Sequence, residues 1–169
     1  MNTTDGLQKA IQKALQKEGR RQTALHKKVF GADAFDTHED EREGGKYHVG
    51  AKQDRLFTDP VTGQEILFDS IAERNRYIHL RGLLKAGVIF DLVLQPSYIL
   101  LDPFTDKFGT IHKGISYRAD FQYWAKDGIT YVEDVKGMQT PVYRMKKKLF
   151  LYRYPEYTYV EIGVKEVNS

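Results

Sequence analysis

A mixed α/β domain is what this sequence predicts, with the order helix, strand, strand, strand, helix, strand behind a basic N-terminal helix and a linker. Three observations lead there. Apolar Ile115, Tyr117, Ala119, Phe121 and Tyr123 alternate with Ser116, Arg118, Asp120, Gln122 and Trp124, and Ile129 to Lys136 follows as a second strand. Between them Asp127-Gly128 supplies a hairpin turn, because both residues tolerate positive φ. Upstream a helical run closes at Gly87, and downstream Thr140-Pro141 opens another, with threonine as cap and proline at the first helical position.

The 169 residues suffice for one domain with a substantial core, expected over residues 51–169, after an N-terminal helical segment and linker over residues 1–50. With 41% hydrophobic and 12% aromatic residues the chain is globular in composition. It has no cysteine, which excludes disulfides, Cys-based zinc sites and a thiol nucleophile. No stretch reaches the roughly 18 to 20 apolar residues of a membrane span, so a cytoplasmic protein without membrane partners is expected. Neither a GxxxxGK[ST] loop nor a GxSxG elbow occurs, and no small-molecule cofactor is expected.

Net charge, at +3, says less than its distribution. Lys9, Lys13, Lys17, Arg20, Arg21, Lys27 and Lys28 make the N-terminus basic; Asp33, Asp36, Glu39, Asp40, Glu41 and Glu43 then reverse the sign. A second basic block, Arg144, Lys146, Lys147, Lys148 and Arg153, lies near the C-terminus. Two such blocks suit a polyanionic substrate held by its phosphates, although basic runs are also ordinary solvated helix faces.

In chain order, Thr3 or Thr4 caps a first helix whose stripe is Leu7, Ile11 and Leu15, and the Gly-rich acidic run from Gly31 to Gly50 reads as a flexible linker. Arg55 to Phe68 reads as a lead-in hairpin around Asp59-Pro60-Val61-Thr62-Gly63. The next helix starts at Asp69 or Ser70, with Ile71, Tyr77, Ile78, Leu80 or Arg81, and Leu84 on its buried side. Val88 to Leu101 has strand character broken at Gln95-Pro96, and Asp102 to Gly114 reads as a turn-rich loop. The helix from Thr140 gathers Val142, Met145, Leu149 and Tyr152 on one face and stops at Tyr154-Pro155, before a last strand, Tyr157 to Val164. His38, His48, His79 and His112 show no metal-ligand spacing.

Chemistry concentrates in the central hairpin. Alternation puts Thr130, Val132, Asp134 and Lys136 on one face and Ile129, Tyr131, Glu133 and Val135 on the other, so Asp120 can stand beside Asp134 and Lys136. Two carboxylates held close disfavour joint ionisation, a conflict that a divalent cation such as Mg²⁺ or Mn²⁺ resolves. A bound ion of this kind lowers the pKa of water and orients a phosphodiester, and the lysine stabilises developing charge. The plain alternative is a surface hairpin with solvated cross-strand charges. Glu73 has two readings as well: a capping-box partner for Ser70, which the spacing favours, or a third carboxylate turned toward the hairpin.

The element order, with Glu73 from the helix, Asp120 from Ala-Asp-Phe, and Asp134 with Lys136 from Glu-Asp-Val-Lys-Gly, resembles the PD-(D/E)xK nuclease superfamily over about Phe68 to Val164. More narrowly, the chain looks like small phage-encoded endonucleases of that superfamily, some of them related to Holliday-junction resolvases. The resemblance implies a restriction-endonuclease-like αβββαβ core with a mixed central sheet. It also implies Mg²⁺-dependent cleavage of DNA, branched DNA foremost, by a homodimer in the host cytoplasm. Glu73, Asp120 and Asp134 would be the metal ligands and Lys136 would position water. Gln139, Tyr143, Arg144, Lys146, Lys147 and Lys148, with Lys13, Lys17, Arg20 and Arg21, would contact the substrate. Ala119 departs from the family's proline, and Glu133 is a rival ligand that strand alternation turns away from Lys136. An inactive nucleic-acid-binding module or a scaffold that keeps the fold is the alternative.

Overall fold

The computed structural model describes Phe35–Asp36 and residues 50–167. The basic N-terminal helix, with Lys13, Lys17, Arg20 and Arg21, lies outside the described residues. Within the run expected to be linker, Phe35–Asp36 forms a short strand, β1.

Local signals set the first elements. After a single turn of helix, α1 (Lys52–Arg55), the lead-in hairpin forms as expected from β2 (Leu56–Thr58) and β3 (Glu65–Leu67), in register from Leu56↔Leu67 to Thr58↔Glu65. Its turn is organised by Asp59, whose Oδ1 accepts from the amides of Val61 (2.8 Å) and Thr62 (3.2 Å). Helix α2 (Ile71–Lys85) begins at an N-cap Ser70, whose Oγ accepts from the Glu73 amide, and the chain leaves it at Gly87 with φ +65°. Its buried side is Ala72, Glu73, Tyr77 and Leu80, while Ile78 and Leu84, expected inside, are exposed. The face is rotated toward Arg76, whose guanidinium turns to the sheet.

The strand character expected from Val88 to Leu101 resolves into β4 (Ile89–Leu94) and β5 (Ser97–Leu101), which belong to different sheets. Gln95, with φ +46°, makes the bend before Pro96. The expected loop after Leu101 contains a small hairpin, β6 (Phe104–Thr105) with β7 (Ile111–His112). Asp106 braces its turn by accepting from the Phe108 and Thr110 amides and pairing with His112 at 3.0 Å.

The continuous alternation from Ile115 to Trp124 hides a break. β8 (Gly114–Arg118) and β9 (Phe121–Ala125) are separate strands, because at Ala119-Asp120 the backbone changes partners. The Ala119 amide donates to the Pro96 carbonyl (3.1 Å), and the Asp120 amide to the Glu133 carbonyl (3.1 Å). β8 lies between β1, which it pairs in parallel, and β5. With the β6–β7 hairpin these strands make one compact unit, Phe35–Asp36 with Ser97–Tyr117.

The second unit, residues 50–96 and 118–167, carries a four-stranded mixed sheet in the order β11-β10-β9-β4. β10 (Thr130–Lys136) pairs antiparallel with β9 across the expected Asp127-Gly128 turn, where Gly128 has φ +84°. β11 (Thr158–Gly163) runs parallel to β10, from Tyr131↔Thr158 to Lys136↔Gly163, and leads into a short α4 (Val164–Val167). One sheet face packs on α2: Phe121, Tyr123 and Val135 join Phe68, Ala72, Tyr77, Leu80 and Ile89 in the core, with the Tyr77 and Phe121 rings stacked at 6.5 Å. The other face receives α3 (Pro141–Arg153), capped by Thr140 as expected. Its buried residues are Tyr143 and Phe150, whereas the apolar face of Val142, Met145 and Tyr152 looks outward, Tyr152 at 87% exposure. Among the described residues no helix is long and apolar enough to cross a membrane.

Candidate metal and phosphodiester site

The sheet separates the two acidic neighbours of β10. Glu133, on the α2 face, is 1% exposed and accepts from Arg76 Nε (2.8 Å), the second Arg76 nitrogen (2.6 Å) and the Tyr123 hydroxyl (2.5 Å). Burial works against the Arg76 charge, but the Glu133 hydrogen bond and charge raise its pKa above the ordinary value. Burial, then the bond to Glu133, likewise pushes the Tyr123 phenol up. Glu133 is therefore spent on a buried ion pair, and the alternation that turns it away from Lys136 is what the fold uses.

Asp134 projects to the opposite face and is fully buried, at 0% exposure. Continuing the β9–β10 register one step past Glu133↔Phe121 sets Asp120 opposite it. Asp120 is tethered through its backbone: its amide donates to Glu133 and its carbonyl accepts from the Gln95 amide (2.9 Å). Its Oδ2 accepts from the Val135 amide at 2.6 Å. Burial, then repulsion from Asp134 and Glu73, pushes the Asp120 carboxyl well above the usual carboxylate range, against the pull of the Val135 amide and Lys136.

Lys136, two residues on and on the same face as Asp134, places Nζ 3.2 Å from Asp134 Oδ1 and 4.9 Å from the Tyr143 ring centroid. The ammonium is at ion-pair distance, yet Oδ1 accepts no hydrogen bond. That buried oxygen rests on the Lys136 ion pair with no hydrogen bond formed, and a further cation would satisfy it more fully. Asp134 and Asp120 thus have the donor chemistry for a hard divalent ion.

Glu73 behaves as the spacing favoured. Its Oε1 accepts from Ser70 Oγ (3.0 Å) and its Oε2 from the Asp69 amide (3.2 Å), so both oxygens serve the helix start while the charge is felt at Asp120. Among the described residues no three Asp, Glu or His side chains stand together as a ready-made metal cage.

The expected substrate contacts divide. Gln139, Tyr143 and Lys147 all turn to Glu161 of β11: Gln139 Nε2 donates to Oε1, and the Tyr143 hydroxyl (2.6 Å) and Lys147 Nζ (2.8 Å) to Oε2. Burial opposes the Glu161 charge, but Lys147, Tyr143 and Gln139 hold its carboxyl below the usual range. Arg144 and Lys148 are exposed and Lys146 is half-buried. Tyr159 and Glu161 carry a signal that the sequence reading did not use. They alternate with Val160 and Ile162, and the parallel register sets them beside Val132 and Asp134.

Fold and site together define a mixed α/β protein whose central hairpin presents a buried aspartate, a facing aspartate and a lysine on one sheet face. Residues 55–166 match the family described as protein of unknown function (DUF1064), more than half of the chain, and the chain belongs to that family. No curated protein and no solved structure matches it.

Proposed function

We propose that this protein is a Mg²⁺-dependent endonuclease of the PD-(D/E)xK type, with a restriction-endonuclease-like αβββαβ core, acting on DNA and on branched DNA by preference. The observation that carries the reading is Asp134, fully buried with an oxygen that accepts no hydrogen bond, beside Lys136 and opposite Asp120. A structural carboxylate in this sheet looks like Glu133, with three donors; Asp134 has the Tyr159 hydroxyl on Oδ2 and only the Lys136 ion pair at Oδ1.

Asp134 and Asp120 would hold the ion, and Mn²⁺ would substitute for Mg²⁺. When bound, such an ion polarises a phosphodiester and lowers the pKa of a water. Lys136, a quarter exposed and braced over the Tyr143 ring, would hold the attacking water by hydrogen bonding and offset negative charge on the phosphate. Burial and the Asp134 and Glu73 charges, which hold the Asp120 carboxyl above the usual carboxylate range, are what a divalent ion beside it would offset. Glu73 contributes negative potential from its cap. Exposed Arg144 and Lys148 would hold flanking phosphates, giving shape-based binding. Homodimerisation and a role in phage recombination or replication belong to the same reading.

The test is cleavage of four-way junction, flap, duplex and single-stranded DNA with Mg²⁺ or Mn²⁺, beside Asp120→Asn and Lys136→Ala. Lys136→Ala is expected to lose about 10²- to 10³-fold in single-turnover rate. No cleavage of any substrate by the wild type rejects the enzyme and leaves a nucleic-acid-binding or scaffold protein with this fold. Equal cleavage of linear duplex and junction rejects only the branched-DNA preference.

A further inference from the structure

On the α3 side of the sheet, Asp134 is the end of a chain of hydroxyl groups. Its Oδ2 lies 3.2 Å from the Tyr159 hydroxyl, which lies 2.6 Å from the Tyr143 hydroxyl, which donates to Glu161 Oε2 at 2.6 Å. Two phenols bring two protons to three contacts. Tyr143 spends its proton on Glu161, the acceptor that Lys147 and Gln139 keep ionised, so its oxygen is left as an acceptor. Tyr159 then has one proton and two takers, Tyr143 and Asp134. Its ring is fixed by Phe150, with centroids 5.5 Å apart, and by Lys147 Nζ, 5.3 Å from its centroid. The hydroxyl can therefore turn between its takers without the ring moving.

We propose that Tyr159 is a positioning residue for Asp134. By donating to Oδ2 it fixes the carboxylate so that Oδ1, the oxygen with no hydrogen bond, stays directed to the position beside Lys136 where a divalent cation is taken up. Tyr143 is its competitor: a cation arriving at Asp134 gains most when the Tyr159 proton leaves Tyr143 for Oδ2. Partners of this kind, behind a metal ligand, typically alter metal affinity by about 10- to 100-fold. The inference rests on the metal-dependent reading and names a residue on β11 that sequence spacing does not tie to Asp134.

The experiment compares wild type, Tyr159→Phe and Tyr143→Phe as full-length chains, titrating Mn²⁺ and counting the free ion by electron paramagnetic resonance. Phenylalanine keeps the Tyr159 ring against Phe150 and the Tyr143 ring beneath Lys136, so each variant loses one hydroxyl. Tyr159→Phe is expected to bind Mn²⁺ about tenfold more weakly. Tyr143→Phe, with the competing acceptor gone, is expected to bind it at least as tightly as wild type. A merely structural role for the hydroxyl chain would weaken both variants together, and that result overturns the proposal, as does wild-type affinity in Tyr159→Phe. Wild type taking up no Mn²⁺ rejects the metal-dependent reading itself, and the proposal with it.

Discussion

The separation of Glu133 from Asp134 can be tested through stability. Arg76→Met keeps most of the aliphatic stem but removes the guanidinium, leaving the 1%-exposed Glu133 carboxylate with the Tyr123 hydroxyl alone. Removing one member of a buried ion pair costs about 3–5 kcal/mol. Arg76 keeps 20% side-chain exposure, so the lower end applies, about 3 kcal/mol. At this chain length that corresponds to a fall in Tm of roughly 6–12 °C, read by circular dichroism at pH 7 in EDTA. Arg76→Met/Glu133→Leu removes both charges and should recover most of the loss, short by about 1 kcal/mol for the Tyr123 hydroxyl left without its acceptor. Glu133→Gln should lower Tm without changing Mn²⁺ affinity, and Asp134→Asn should do the reverse. A drop below about 2 °C for Arg76→Met, or a double variant as unstable as the two losses added, would refute the assignment of Glu133 as an ion-pair residue.

Two further outcomes follow from the electrostatics. In EDTA, Asp120→Asn should be more stable than wild type at pH 7, because burial and the neighbouring Asp134 and Glu73 charges raise the Asp120 pKa in the fold. The folded chain then holds a proton that the unfolded chain has lost, so wild-type stability falls as pH climbs from the ordinary 3.8 through the raised value. The advantage of the variant should shrink as pH is lowered toward 4; a pH-independent difference would contradict the cause given, and Mg²⁺ should stabilise wild type more than the variant. Arg144→Ala/Lys148→Ala should reduce the slope of log binding against log salt by about two for duplex DNA, with no change in Tm, measured by fluorescence anisotropy.

What was legible in the sequence is what short-range chemistry decides. Ser70 and Thr140 as caps, Gly87 and Gly128 at positive φ, and the opposite facing of Glu133 and Asp134 each depend on residues within a few positions of one another. The break at Ala119-Asp120 was not legible, because the alternation runs through it. Only the hydrogen bonds to Pro96, 23 residues away, and to Glu133 reveal that the strand changes sheets there, which is also how Asp120 comes to stand opposite Asp134. Helix α3 shows the same limit from the other side. Its most apolar stripe, with Val142 and Met145, faces outward because the inward face is chosen by what β11 offers: a phenol for Tyr143, a carboxylate for Lys147 and a ring for Phe150. Polar partners on the neighbouring strand outweighed hydrophobic spacing in choosing that face, and the face they chose is the one Asp134 looks onto. The packing of α3 and the polarity of the site are thus one arrangement, in which the Tyr143–Tyr159–Glu161 chain joins the helix to the sheet and ends at the buried Asp134 carboxylate.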